Sequence, residues 1–291
     1  MLYQLSYLAA QRERAQSIGR IATSMGPMAW SDFLEQARGA DHAVQIYDDA
    51  GDLAESVAMY FGAGFAQGEP GVAIATAAHS SLFAAALAGR GWDAAELEAE
   101  GMLRVLSAEK TLEVISEDGM PSQTRFDEVV GGLFDEIAAR RSGKRIRAFG
   151  EMVDLLSQRG HHAAALKLED LWNELALTRN FSLLCGYRLD VFDAAVQLTQ
   201  LPGVCKAHSH IRPAADPARL ARAVDRALEE VLGPHEAEKV YRSVGEGIRE
   251  KRVPLPQLTL MWISEHMPAR AESVLAASRA HYEQPSAVAT A

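Results

Sequence analysis

The chain has 291 residues, 48% of them hydrophobic, and a formal net charge of −10. That is ample material for a large core, and the wrong charge for a chain that wraps a nucleic-acid backbone by itself. No apolar run approaches the ~20 residues of a bilayer-spanning helix, and two cysteines, Cys185 and Cys205, are too few for a disulfide framework and suit a reducing compartment.

The start, MLYQLSYLAAQRERAQSIGRIATS, carries its charges after its apolar residues. That is the reverse of a secretory signal, so a cytoplasmic chain without membrane contact is expected. Residues 1–40 are expected to form a helical leader that ends in the polar stretch from Glu35 to Asp41. His42–Tyr47 (HAVQIY) then predicts a first strand. Asp52–Gln67 has apolar residues at helical spacing (Leu53, Val57, Tyr60, Phe61, Phe65) and ends at Gly68. Gly71–Thr76 (GVAIAT) predicts a second strand, Ser80–Arg90 a helix stopped by Gly91, and Met102–Ser107 a third strand. Phe126–Arg141 is a helix with a basic last turn, which suits its dipole. Arg145–Gly150 (RIRAFG) is the fourth strand, His162–Thr178 a long helix, and Phe181–Tyr187 (FSLLCGY) the fifth strand.

Strands alternating with helices predict an α/β fold of three layers, a mostly parallel sheet covered on both faces. The pattern changes near Pro213. Asp216–Leu232 is an amphipathic helix with Asp216 as N-cap and Pro217 in its first turn. More helix follows at His235–Glu250 and at Gln257–Tyr282, which Pro268 breaks. The expected organisation is a leader at 1–40, the α/β domain at 41–212, a helical C-terminal region at 213–283 and a disordered tail at 284–291.

The order strand, loop, helix, turn, strand from Ile46 to Thr76 is the one that presents a phosphate-binding loop. That chemistry needs backbone N–H groups aimed at phosphate and a lysine to neutralise charge. The loop here is Asp48-Asp49-Ala50-Gly51-Asp52, without Gly-Lys-Ser/Thr. Its carboxylates can cap the helix themselves and would repel a triphosphate. The frame of a nucleotide site is expected without NTP hydrolysis.

In sheets of this kind ligands lie beyond the carboxyl ends of the strands. Tyr47, Thr76, Glu151 and Tyr187 are therefore expected to meet in one crevice. Core packing competes with a ligand role for Tyr47, and an ion pair competes for Glu151. Arg147 lies inside a strand, where an unpaired charge is costly, so it needs a carboxylate from a ligand or from the protein, with Glu69 or Glu151 as the partner. Trp172, Leu175 and Cys185 are expected in the core.

Several blocks in order, HAVQIYDD, GAGFAQGEPGVAIAT, GRGWDAAELEAEGMLRVLS, KRIRAFGEM and NFSLLCGY, resemble the MEDS sensory domain over roughly 40–212. The resemblance implies a RecA/KaiC-like fold without Walker motifs and a small organic ligand, of the hydrocarbon-derivative class. It also implies a role for His42, which opens a strand-one motif of His, any residue, Cys, two residues and an aromatic. Here the Cys position is Val44 and the aromatic is Tyr47. The expected function is sensory and non-enzymatic. His42, Tyr47, Thr76, Arg147, Glu151 and Tyr187 would form the ligand site, and a histidine kinase or response regulator would read its state, with a homodimer as one form of assembly. Two alternatives remain. Cys205, His208 and His210 together offer ligands for a transition metal, in a metal-binding protein or an enzyme. The crevice could also be filled by side chains, in a ligand-free interaction module.

Overall fold

The computed structural model describes residues 30–247 and 253–284. Residues 1–29 of the expected leader and 285–291 of the expected tail lie outside them. The described chain runs α1 (Trp30–Gln36), β1 (His42–Ile46), α2 (Ala50–Phe65), β2 (Gly71–Ala75), α3 (Ala77–Ala88), α4 (Ala94–Ala99), β3 (Leu103–Ser107), α5 (Ala108–Ile115) and a small hairpin of β4 (Ser116–Glu117) and β5 (Met120–Pro121). A helix then begins at α6 (Gln123–Phe126), widens to a π turn at Asp127–Gly131 and continues as α7 (Gly132–Arg140). After it come β6 (Ile146–Gly150), α8 (Met152–Gln158), α9 (His162–Ala176), β7 (Phe181–Tyr187), α10 (Ala194–Thr199), α11 (Leu201–Ala207) and β8 (His210–Arg212). Four helices end the described chain: α12 (Pro217–Leu232), α13 (Pro234–Gly247), α14 (Leu255–His266) and α15 (Pro268–Glu283).

The main sheet has six strands in the order β3-β2-β6-β7-β1-β8, every pair parallel. This order dictates the three layers. From β1 the chain steps through β2 to β3 at one edge, then returns through β6 and β7 to β8 at the other. With right-handed crossovers, reversing the direction of travel moves the connecting helices to the opposite face. The outward leg accordingly packs α2, α3 and α4 on one face, in a core with Phe33, Leu53, Val57, Phe61 and Phe149. The return leg packs α5, α7, α8, α9 and α11 on the other, around Val44, Ile74, Phe134, Leu168 and Trp172. Strands buried on both faces read as continuous apolar runs, which is why HAVQI, GVAIA and FSLLCGY stand out in the sequence. β8 does not stand out, because three residues are too few to show an alternation.

Arg147 of β6 is fully buried on the α2 face. Its Nε donates to Glu69 Oε2 at 2.8 Å. Three more of its N–H groups reach the carbonyls of Leu34 at 2.6 Å, Tyr60 at 2.8 Å and Glu35 at 2.9 Å. Glu69 also takes a bond from Arg145. A guanidinium without water needs acceptors of this kind, and this one fastens α1 to α2 and β6. The side chain passes α2 at Gly64, where a Cβ would lie 2.6 Å from Arg147 Cδ.

The C-terminal helices have their own core of Leu220, Val224, Leu228, Leu260, Ile263, Val274 and Leu275. Asp216 caps α12 by accepting from Arg219 N at 2.8 Å, with Pro217 in the first turn. Phe192 and Leu258 pack against both this core and that of the return face, so the helices sit against the sheet domain. Among the described residues no helix is long and apolar enough to cross a membrane.

Candidate functional site

Inward of the edge pair β3–β2, the strand order creates two places where neighbouring strands send their chains to opposite faces: between β2 and β6, and between β1 and β7. Such switch points open crevices at the carboxyl ends of strands.

Thr76 and Glu151 meet at the first. Glu151 follows β6 directly and is 1% exposed. One of its oxygens accepts from the Thr76 N–H and the other bonds His79 Nδ1. Thr76 caps α3 by accepting from His79 N at 3.3 Å. The Glu151 hydrogen bond raises the His79 pKa above its usual value, against the opposing effect of burial. Both Glu151 oxygens are thus spent on this strap between the two strands.

The second switch point holds a cavity of about 510 Å³. Its inner wall is the end of β1 and the segment after β7, from Tyr47 and Asp48 to Arg188–Phe192; its outer wall is formed by Pro213–Ala215 with Arg219 of α12 and Arg279, Tyr282 and Glu283 of α15. Tyr47 OH donates to Asp154 Oδ2 at 3.3 Å. Asp154 Oδ1 accepts from Arg188 N at 2.8 Å and Gln158 Nε2 at 3.3 Å. Burial raises the Asp154 carboxyl above its ordinary value, and burial with the Asp154 charge raises the Tyr47 phenol. Arg279 pairs with Asp190 and lies over Phe192 at 5.6 Å; Arg219 donates to the Gln284 carbonyl and lies over Tyr282 at 5.2 Å. The Arg188 side chain, exposed in the cavity wall, makes no hydrogen bond or ion pair among the described residues.

At the N-terminus of α2 the carboxylates act as the sequence implies. Asp49 caps the helix by accepting from Asp52 N at 2.9 Å, and Asp48 accepts from Asp49 N at 3.0 Å. Asp52 turns away to β8, 3.0 Å from Arg212, and accepts from Gln45 Nε2 at 2.8 Å. Two of the amides a phosphate would need are occupied by side chains of the same loop.

The expected single crevice is therefore divided. Tyr47 lines the cavity, Thr76 and Glu151 form the strap, and Arg147 belongs to the buried ion pair. His42 and Tyr187 turn to the return face, where they meet Glu169, Cys185 and His208. His42 Nε2 is 3.3 Å from both Glu169 Oε2 and Cys185 Sγ. His208 Nε2 is 3.5 Å from Glu169 Oε1, which also accepts from Tyr187 OH at 2.8 Å. All of these residues are buried. Burial pushes His208 down to about 4 and raises the Cys185 thiol well above its usual range.

Cys205, His208 and His210 do not come together. His208 joins the buried cluster, and Cys205 packs within the return-face core. The His210 ring stacks on Phe33 at 5.0 Å, on the other side of the sheet. Two residues apart on a strand they would share a face, but His208 caps the end of α11 and β8 begins only at His210, so strand alternation does not yet apply to His208. Sequence reasoning passed over Asp154 and Glu169. Both had a signal, since each is an acid on a helix whose neighbours Val153, Leu168, Leu171 and Trp172 are buried apolar residues.

No curated protein matches the chain. The family model described as MEthanogen/methylotroph, DcmR Sensory domain matches residues 41–208, which takes in the sheet up to the start of β8, the buried cluster and the inner wall of the cavity. The chain belongs to the MEDS family of sensory domains.

Proposed function

We propose that this sensory domain binds a small organic molecule in the cavity beyond β1 and β7 and passes its state to a separate cytoplasmic regulatory protein, a histidine kinase or response regulator, without chemical turnover. One observation carries the reading: the cavity is shared between the sheet domain and the C-terminal helices. Arg188 and Tyr47 stand on one wall, Arg279 and Tyr282 on the other. A ligand that spans the opening gains contacts from both walls and so favours one placement of α12 and α15 over another. A ligand with equal affinity for both placements would shift nothing.

The chemistry of the walls supports one class of ligand. Phe192, Leu189 and Val191 offer apolar surface, while Arg188 offers a guanidinium that the described residues leave unpaired. A short-chain molecule with one anionic or strongly accepting group fits this combination. The occupied amides of Asp49 and Asp52 support a site that recognises rather than hydrolyses. Thermal unfolding against a panel of short-chain alcohols, aldehydes, haloalkanes and carboxylates, with MgATP beside them, tests the proposal. At least one organic compound should raise the melting temperature, and MgATP should not. A panel without any shift, or hydrolysis of ATP, sinks it.

A further inference from the structure

We propose that His42, Glu169, Cys185 and His208 form a transition-metal site of the zinc type, buried between the sheet and α9, separate from the cavity and independent of what binds there. The ligand atoms of these four residues lie within 4.8 Å of one another. They offer two imidazole nitrogens, a carboxylate oxygen and a thiolate sulfur, a set that suits a tetrahedral d-block ion and not Mg²⁺ or Ca²⁺.

The hydrogen bonds behind the cluster fix the direction of its lone pairs. His208 Nδ1 is 2.7 Å from the Val204 carbonyl, which only accepts, so Nδ1 carries the proton and Nε2 is left with a lone pair. His42 Nδ1 is 3.0 Å from Asn173 Oδ1. The Asn173 amide is itself oriented, because its Nδ2 donates to the Ala207 carbonyl at 3.2 Å. His42 Nδ1 therefore donates as well, and in the neutral ring its Nε2 also presents a lone pair. Outer partners of this kind are what orient metal-bound histidines.

Both nitrogens face Glu169; that of His42 has the Cys185 thiol, 3.3 Å away, as a hydrogen-bond partner, and that of His208 has none among the described residues. His42 Nε2 lies 3.3 Å from one carboxylate oxygen and His208 Nε2 lies 3.5 Å from the other. Among the described residues Glu169 Oε2 and His208 Nε2 have no hydrogen-bond partner, although both atoms are out of reach of solvent. Lone pairs turned toward one another in a dry core repel. An extra proton on His42 would relieve one of the two contacts. A metal ion relieves both and takes the sulfur too. Binding would displace one proton from the Cys185 thiol to solvent and form the metal–sulfur bond, with no change of oxidation state. The two anionic ligands then balance a divalent charge, so the occupied site carries no net charge.

The test uses the untagged chain, expressed with zinc and then stripped by chelator. Elemental analysis should find about one zinc ion per chain before stripping, and the stripped chain should take up one equivalent again. Co²⁺ in its place should give a near-ultraviolet thiolate band and the visible bands of a tetrahedral ion. Cys185→Ser should lose the thiolate band and His208→Gln should lose the stoichiometric zinc, while Cys205→Ser and His210→Gln keep both. Circular dichroism of each variant shows whether it is folded. Should a cluster variant fail to fold, the wild-type Co²⁺ spectrum alone decides. A stripped, folded wild-type chain that takes up neither ion at equimolar concentration overturns the proposal. So does zinc that stays stoichiometric in folded Cys185→Ser and His208→Gln.

Discussion

Arg147 Nε lies 2.8 Å from Glu69 Oε2, with the arginine side chain wholly buried and the glutamate nearly so. Deleting one member of such a pair strands the other charge in the core, which typically costs about 3–5 kcal/mol. Glu69→Ala should lower the unfolding free energy by about 3 kcal/mol, read as a lower urea midpoint at unchanged slope. A loss below about 0.5 kcal/mol would mean that water reaches the arginine.

Gly64 gives that arginine its passage. A Cβ there would stand 2.6 Å from Arg147 Cδ and 2.9 Å from Nε. The arginine, held by four partners, has little room to yield. Gly64→Ala should destabilise the chain by about 1–3 kcal/mol, although alanine is the better helix former, and calorimetry should show the lower melting temperature.

The strap between His79 and Glu151 gives a pH dependence of known sign. The folded state raises the His79 pKa above its ordinary value, so the folded state holds the proton more tightly than the unfolded one. Its contribution is fully present below the unfolded pKa and is lost as pH rises through the raised folded value. The difference in stability between the wild type and His79→Gln should therefore shrink from mildly acidic to alkaline pH. Denaturant titrations at a series of pH values check it, and a difference that grows with pH would reverse the assignment.

Arg188 is exposed and its side chain is unpaired among the described residues, so its removal should leave the unliganded fold within about 0.5 kcal/mol of the wild type. Arg188→Ala should nonetheless abolish or sharply weaken the melting shift produced by the organic ligand. Tyr282→Ala, on the opposite wall, should weaken the same shift. Retention of the full shift in both variants would move the ligand elsewhere.

The architecture was legible where residues are buried from two sides. Phe181–Tyr187 and Gly71–Ala75 stand out because both faces of each strand are covered. Arg147 also declared its role, since a charge within an apolar strand demands a partner, and Glu69 is that partner. The division of the site was not legible. Thr76 meets Glu151 only because β2 lies beside β6, and no local signal fixes strand order. Tyr47 and Tyr187 both follow apolar strand residues, yet pleat parity sends one toward Asp154 and the other toward Glu169. The Cys position of the family's strand-one motif is Val44, which stands in register beside Cys185. A sulfur thus reaches His42 from the neighbouring strand, and only the pairing of β1 with β7 reveals it.

The two rims of the sheet differ in how they would receive another chain. β8 offers three residues, ends at Pro213, and has Arg212 fastened to Asp52 and the Ala215 carbonyl. Such a stub leaves little backbone for intermolecular pairing. β3 is five residues long, and among the described residues no strand lies on its outer side. Arg104 and Val105 stand exposed there, and a charge at such a place discourages stacking of strands from two molecules. Self-association by sheet extension would have to begin at β3 and desolvate that arginine, so helix-to-helix contact is the easier route to a dimer.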